Sequence, residues 1–128
     1  MDAKKLALLC RDLADNKKAE DILILNVAEL SSITDYFVIC SGTSEPHLRA
    51  IAEEITSRLE LEHGIEPRAR DGSLTSGWLV LDFFDVIVHI MHRDSRQRYD
   101  LENLWGDAPR VKLKKAKKKA VQRAPKPE

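Results

Sequence analysis

Nothing in the 128 residues is apolar for long enough to cross a bilayer. A membrane helix needs a run of roughly 18 or more apolar residues, and none is approached. No long apolar stretch follows Lys4 and Lys5, so no secretory signal is expected. Cysteine is scarce. Cys10 and Cys40 sit in apolar surroundings and fit no metal spacing, so reduced, buried thiols in a cytosolic protein are the simplest account. The four histidines form no His-Glu-x-x-His pair. His89 and His92 are three apart on a strand and point to opposite faces, while His47 and His63 mark the two ends of one helix. Neither a metal site nor a bound cofactor is expected. No Ser or Cys is recognisably paired with a base, and a thiol at Cys40, in mid-strand, stays neutral and inert. There is no internal repeat.

Net charge is also missing, but the zero conceals a split. From Pro109 onward nine Lys/Arg stand against one acid, which leaves 12 bases and 20 acids, a charge of −8, in the body. An acidic body with a basic tail differs physically from a neutral protein. The division is therefore a single domain over 1–108, long enough for a real core, and a tail over 109–128 for which disorder is the default.

What the sequence does have is the stretch Gly77 to His92, GWLVLDFFDVIVHIMH. Apolar β-formers on both sides of a short break predict a β-hairpin. A two-residue loop at Phe83-Phe84 sets Asp82 opposite Asp85, Val80 opposite Ile87 and Trp78 opposite His89. Leu79, Leu81, Val86, Val88 and Ile90 then form a purely aliphatic face for the core. Trp78, Val80, Asp82, Asp85, Ile87, His89 and Met91 form the other face, which is too apolar to leave in water. Either more of the chain covers it or another molecule does.

Around this hairpin the chain reads in order. Residues 2–18 predict a helix capped by Asp2, with Leu6, Leu9, Cys10 and Leu13 inward. Residues 21–27 predict a strand in the interior of the sheet, because Ile22 to Leu25 suit burial on both faces. Asp35 to Cys40 form a second strand. Ser44 caps a helix that accepts Pro46 in its first turn and stops at Gly64, with Leu48, Ile51, Ala52, Ile55 and Leu59 as its stripe. Ile65 to Arg70 predict a charged edge strand and Asp71-Gly72-Ser73 a turn. A final amphipathic helix carries Tyr99, Leu101, Leu104 and Trp105. The class is α/β or α+β: a mixed sheet of about five strands with helices mainly on one face.

The Ser41-Gly42-Thr43-Ser44 loop joins a strand to a helix N-terminus, where anions bind, but it has one glycine and no Lys. A small residue and Gly after a strand also resemble nucleotidyltransferases. Those enzymes need two carboxylates projecting together to hold metal ions. Glu53 and Glu54 are adjacent on a helix and cannot do so.

Taken together, Asp35 to Ser44 (DYFVICSGTS), Gly77-Trp78 with Leu81-Asp82, Asp85 to His89 (DVIVH) and Arg98 to Trp105 (RYDLENLW) resemble the ribosomal silencing factor (Iojap) family. The resemblance runs from Leu6 to Ala108. Phe84 stands where the family has Gly, which predicts a wider turn or a residue at positive φ. The lysine-rich tail lies outside the pattern.

The resemblance implies a nucleotidyltransferase-like fold without the catalytic carboxylates, and a cytoplasmic, non-enzymatic protein. It implies binding to the large ribosomal subunit through its fourteenth large-subunit protein, blocking the small subunit and lowering translation when nutrients are short. Related organelle proteins act in large-subunit assembly. The expected partner-binding residues are Trp78, Asp82, Asp85, His89, Met91, Tyr99, Glu102 and Trp105. Trp78 is the anchor, the two aspartates meet basic groups and His89 adds a hydrogen bond. The plain alternative for Trp78 and Trp105 is core packing. Lys114, Lys115, Lys117, Lys118 and Lys119 are the candidate contacts to ribosomal RNA. A sticky sheet face also makes a homodimer of the free protein an expectation.

Overall fold

The computed structural model describes residues 1–111. In chain order its elements are α1 (Ala3–Asn16), β1 (Glu20–Asn26), β2 (Tyr36–Gly42), α2 (Glu45–His63), β3 (Ala69–Ser73), β4 (Trp78–Asp82), β5 (Val86–His92), α3 (Arg93–Tyr99) and α4 (Leu101–Leu104). One five-stranded sheet has the order β1-β2-β5-β4-β3. β2 and β5 are parallel and the other pairs antiparallel, so the sheet is mixed, as the sequence predicts.

The two long helices pack on one face of the sheet. Asp2 caps α1 by accepting from the Lys5 N–H, and Ser44 caps α2 by accepting from the His47 N–H. Gly64 ends α2 in the left-handed region, at φ 66°. Leu6, Cys10 and Leu13 of α1 and Leu48, Ile51, Ile55 and Leu59 of α2 meet Ile24, Val38, Leu81, Val88 and Ile90 of the sheet. Burial pushes the Cys10 and Cys40 thiols up to about 12, which keeps both protonated. A second, smaller cluster forms on the other face. There Leu101 and Ala108 cover Leu25, Phe37, Ile39 and Met91.

Several expectations are corrected. β1 lies at an edge of the sheet, not inside it. Its two faces are still covered, Ile24 by α1 and Leu25 by Leu101 and Ala108, and Pro109 to Val111 run along its outer edge. The Asn26 N–H donates to the Pro109 carbonyl at 2.8 Å and the Val111 N–H to the Ile24 carbonyl at 2.9 Å. These three residues belong to the tail by composition. The edge strand at the other side is Ala69–Ser73 rather than 65–70, so Asp71-Gly72-Ser73 is strand. Gly72 is required there for a close approach: at φ 83°, a Cβ would lie 1.9 Å from the Trp78 carbonyl oxygen.

The hairpin is displaced as well. Its turn residues are Phe84 and Asp85, and Phe83 pairs inward, donating from its N–H to the Val86 carbonyl at 2.8 Å. Trp78 therefore faces Met91, Val80 faces His89 and Asp82 faces Ile87. Asp82 and Asp85 do not face each other. The slip of each pair is two residues, an even number, so no strand residue changes face. Phe84 sits at φ 76° and the Asp85 N–H donates to the Phe83 carbonyl at 3.0 Å, a three-residue γ-turn that meets the expectation of positive φ. The gain is burial of Phe83 in the aliphatic core. The final helix is broken at Asp100, φ 48°; beyond the break Leu101 is buried and Leu104 is 72 % exposed.

Candidate functional site

The second sheet face is covered at one end only. α4 and the turn after it lie over β1, β2 and part of β5, and they leave the β4 side half-open. Trp78, Val80 and Asp82 of β4 and Ile87 of β5 are all half-buried. Across this face runs a row of rings. Tyr99 stacks at a tilt on Trp78 with centroids 4.7 Å apart. Trp78 meets His89 at 5.8 Å, His89 meets the edge of Phe37 at 4.9 Å, and Phe37 meets Trp105 at 5.1 Å in a second T-shaped contact. Such pairs add roughly 0.5–1.5 kcal/mol each beyond burial. The sheet supplies the three central rings, and the segment around the Asp100 break supplies Tyr99 and Trp105.

His89 fixes the orientation of Trp78. The indole Nε1–H donates to His89 Nδ1 at 3.0 Å. An accepting Nδ1 puts the imidazole proton on Nε2 and makes the ring neutral. Burial lowers the His89 pKa to about 4. The unfolded chain, at the ordinary value near 6.5, takes up this proton first. Stability contributed by neutral His89 is therefore complete above about pH 6.5, falls as pH drops towards 4, and is gone below it. The expected loss is about 3 kcal/mol over that window, from this residue alone. Urea midpoints from pH 7.5 to 4 check it: His89→Gln should flatten the decline. An equal slope in both proteins would contradict it.

Asp82 borders the open patch but is engaged. Its carboxylate pairs with Arg68 Nε at 3.1 Å and accepts from the Phe84 N–H at 2.9 Å. Arg68 lies 3.9 Å over the exposed Phe84 ring. The acidic corner thus contains a cation and an aromatic tip. Asp85 is exposed in the turn.

The sequence-predicted residues fall into three groups. Trp78, Tyr99 and Trp105 share the aromatic row, and Asp82 and Asp85 lie at the hairpin turn between β4 and β5. Three are corrected as direct contacts. Met91 is fully buried beneath the row, and His89 is only 8 % exposed and bonded to Trp78, so both act from underneath. Glu102 is held by the buried Arg96, whose Nε and Nη2 each lie 3.1 Å from the same carboxylate oxygen. The lysines Lys114, Lys115, Lys117, Lys118 and Lys119 lie outside the described residues. Val80, Ile87, Arg68 and Phe84 were missed as site residues. The first two were legible, since strand alternation already places them on this face; the Arg68–Phe84 stack depends on tertiary structure. Among the described residues, no group of three or more His, Cys, Asp or Glu could hold a metal ion. No described helix is long and apolar enough to cross a membrane.

Three comparisons bear on this geometry. A family model described as "Ribosomal silencing factor during starvation" matches residues 1–128. The chain is 42 % identical over 113 residues to the ribosomal silencing factor RsfS of Halalkalibacterium halodurans, covering 88 % of this chain and 96 % of that one. It is 35 % identical over 95 residues to the mouse "Mitochondrial assembly of ribosomal large subunit protein 1", covering 73 % of this chain and 42 % of that protein. A crystal structure of a Chromobacterium violaceum protein superposes with a TM-score of 0.78 at 28 % identity, covering 83 % of this chain and 88 % of its own.

Proposed function

Because the chain belongs to the ribosomal silencing factor family, we propose that it is a cytoplasmic translational repressor that docks on the large ribosomal subunit and keeps the small subunit from joining. It does so without chemistry, by occupying a surface. The proposed contact is the half-open face of β4 and β5, set against the fourteenth protein of the large subunit. The observation that carries this reading is the incomplete cover of that face. Trp78, Val80 and Ile87 are apolar and left partly in water by the chain's own helices, and Trp78 is preorganised by its ring contacts with His89 and Tyr99. Buried aromatic anchors with a polar rim are what protein interfaces use.

Charge favours the same docking. A body of −8 is drawn to a basic ribosomal surface, which raises the association rate at low salt. Asp85 and Asp82 stand where a basic partner would approach. In the free protein the same face is the one a second copy would cover.

The mouse relative's name favours a second reading, a factor in assembly of the large subunit. It uses the same face and differs in when it binds. Sucrose-gradient sedimentation with separated subunits tests both. The repressor reading expects the full chain in the mature large-subunit peak, absent from the small-subunit peak, with joining suppressed. Binding confined to immature large subunits would favour assembly. Absence from all large-subunit fractions would refute both.

A further inference from the structure

The hairpin between β4 and β5 ends in an aromatic ring turned to solvent. Phe84 is 58 % exposed. Its backbone, at φ 76°, lies in the left-handed region, where glycine is at ease and phenylalanine is not. Burial of Phe83 accounts for the turn, but a glycine at 84 would serve that turn better. The ring is nevertheless fixed in place. The Phe84 N–H donates to Asp82 Oδ1 at 2.9 Å, Asp82 Oδ2 lies 3.1 Å from Arg68 Nε, and the Arg68 guanidinium lies 3.9 Å over the ring centroid. One face of the ring is therefore covered by a cation that Asp82 already neutralises, and at this exposure the opposite face is in water. Asp82 alternates with Val80 and Trp78 along β4, so the tip continues the half-open sheet face, roughly 13 Å of strand from Trp78. Charge at the tip is unbalanced. The Asp85 side chain is exposed and makes no ion pair among the described residues. Asp35 joins the same corner, its N–H donating to the Asp85 carbonyl at 3.0 Å.

We propose that Phe84 is a second anchor of the docking face, and that it takes a lysine or arginine side chain of the ribosomal partner between its free ring face and the Asp85 carboxylate. The inference rests on the large-subunit reading above and adds the chemistry of one contact to it. A cation is the occupant this corner selects. The ring offers its negative face, and the unpaired carboxylate of Asp85 follows it directly in the chain. An apolar or acidic group would leave that carboxylate unanswered. Arg68 does not repel the incoming cation, because Asp82 holds and neutralises it. The Asp82 bond and the Arg68 contact also keep the ring in one position before a partner arrives, so little side-chain freedom is lost on docking. A purely internal role for the ring gains less. A solvent-exposed cation–π contact and a partly exposed ion pair are each weak, and both sit on a backbone conformation that does not favour phenylalanine.

The test uses the full chain and purified large subunits, with affinity measured by pelleting through a sucrose cushion. Phe84→Gly removes the ring and suits the turn. Its thermal midpoint should equal or exceed that of the wild type, while its affinity for the large subunit should fall about tenfold. Phe84→Tyr keeps the ring face and should bind as the wild type does. Phe84→Leu is apolar without a π face and should bind as weakly as Phe84→Gly. Asp85→Asn should weaken binding and flatten its salt dependence. Wild-type affinity in Phe84→Gly would overturn the proposal. Loss of affinity together with a thermal midpoint below the wild type's would make the ring's role internal and also overturn it. Wild-type affinity in Phe84→Leu would make the contact apolar and rule out the cation. Failure here is distinguishable from failure of the docking reading. If Trp78→Ala leaves the large-subunit fraction while Phe84→Gly stays in it, the face stands and the tip does not; if the wild-type chain does not bind, both fall.

Discussion

Trp78→Ala should remove the protein from the large-subunit peak while circular dichroism still reports a folded chain. Trp78 is the centre of the open face. Tyr99 leans on one side of its ring and His89 holds its nitrogen. Its conformational freedom is thus spent before a partner arrives, which is how interface anchors gain affinity. Truncating such an anchor costs about 2 kcal/mol or more, at least about 30-fold in dissociation constant. Part of the damage will be internal, because His89 Nδ1 loses its donor. Trp78→Phe separates the two effects. It keeps an aromatic ring and much of the apolar area but removes the N–H, so it should lose stability but retain much of the binding. Unchanged sedimentation of Trp78→Ala would take this residue out of the interface.

Glu102→Ala should be strongly destabilising although Glu102 lies outside the aliphatic core. Arg96 is almost wholly buried between Ser41, which accepts from Nη1 at 3.0 Å, and the Glu102 carboxylate. Removing the carboxylate leaves a guanidinium in low dielectric with one neutral partner. Breaking a fully buried pair costs several kcal/mol; Glu102 keeps some water access, so about 2–3 kcal/mol is expected. Arg96→Met should cost less, because the remaining carboxylate can reach solvent. The pair also anchors the segment bearing Tyr99 and Trp105. Hydrogen exchange over 93–105 should therefore rise in Glu102→Ala more than elsewhere. A denaturant midpoint for Glu102→Ala equal to wild type would contradict this assignment.

Much of this architecture is written in local chemistry. The Ser44 cap, Pro46 and Gly64 mark α2 at both ends, and the alternation of Leu79, Leu81, Val88 and Ile90 marks the core side of the hairpin. Local signals fail where distant segments decide. Ile22 to Leu25 read as an interior strand because both faces are covered; the edge itself is taken by Pro109 to Val111, more than 80 residues away. Asp71-Gly72 reads as a turn, yet Gly72 serves the approach of the β4 backbone. The hairpin slipped by one turn position because no glycine fixes it, and burial of Phe83 outweighs the left-handed backbone of Phe84. At the site, Trp78, Tyr99 and Trp105 were legible as amphipathic aromatics. The inward roles of Met91, His89 and Glu102 were not, since each depends on what the segment after β5 covers.

The central claim is that the face around Trp78 is the surface that meets the large subunit. A photo-reactive phenylalanine analogue at Val80, half-buried beside Trp78 on the same strand face, tests it most directly. On purified large subunits it should cross-link to the fourteenth large-subunit protein, and the product should vanish when Trp78→Ala is added. The same probe at Leu61, 82 % exposed on α2, should give no such product. A ribosomal cross-link from Leu61 with none from Val80 would place the contact on the helical side and contradict the account.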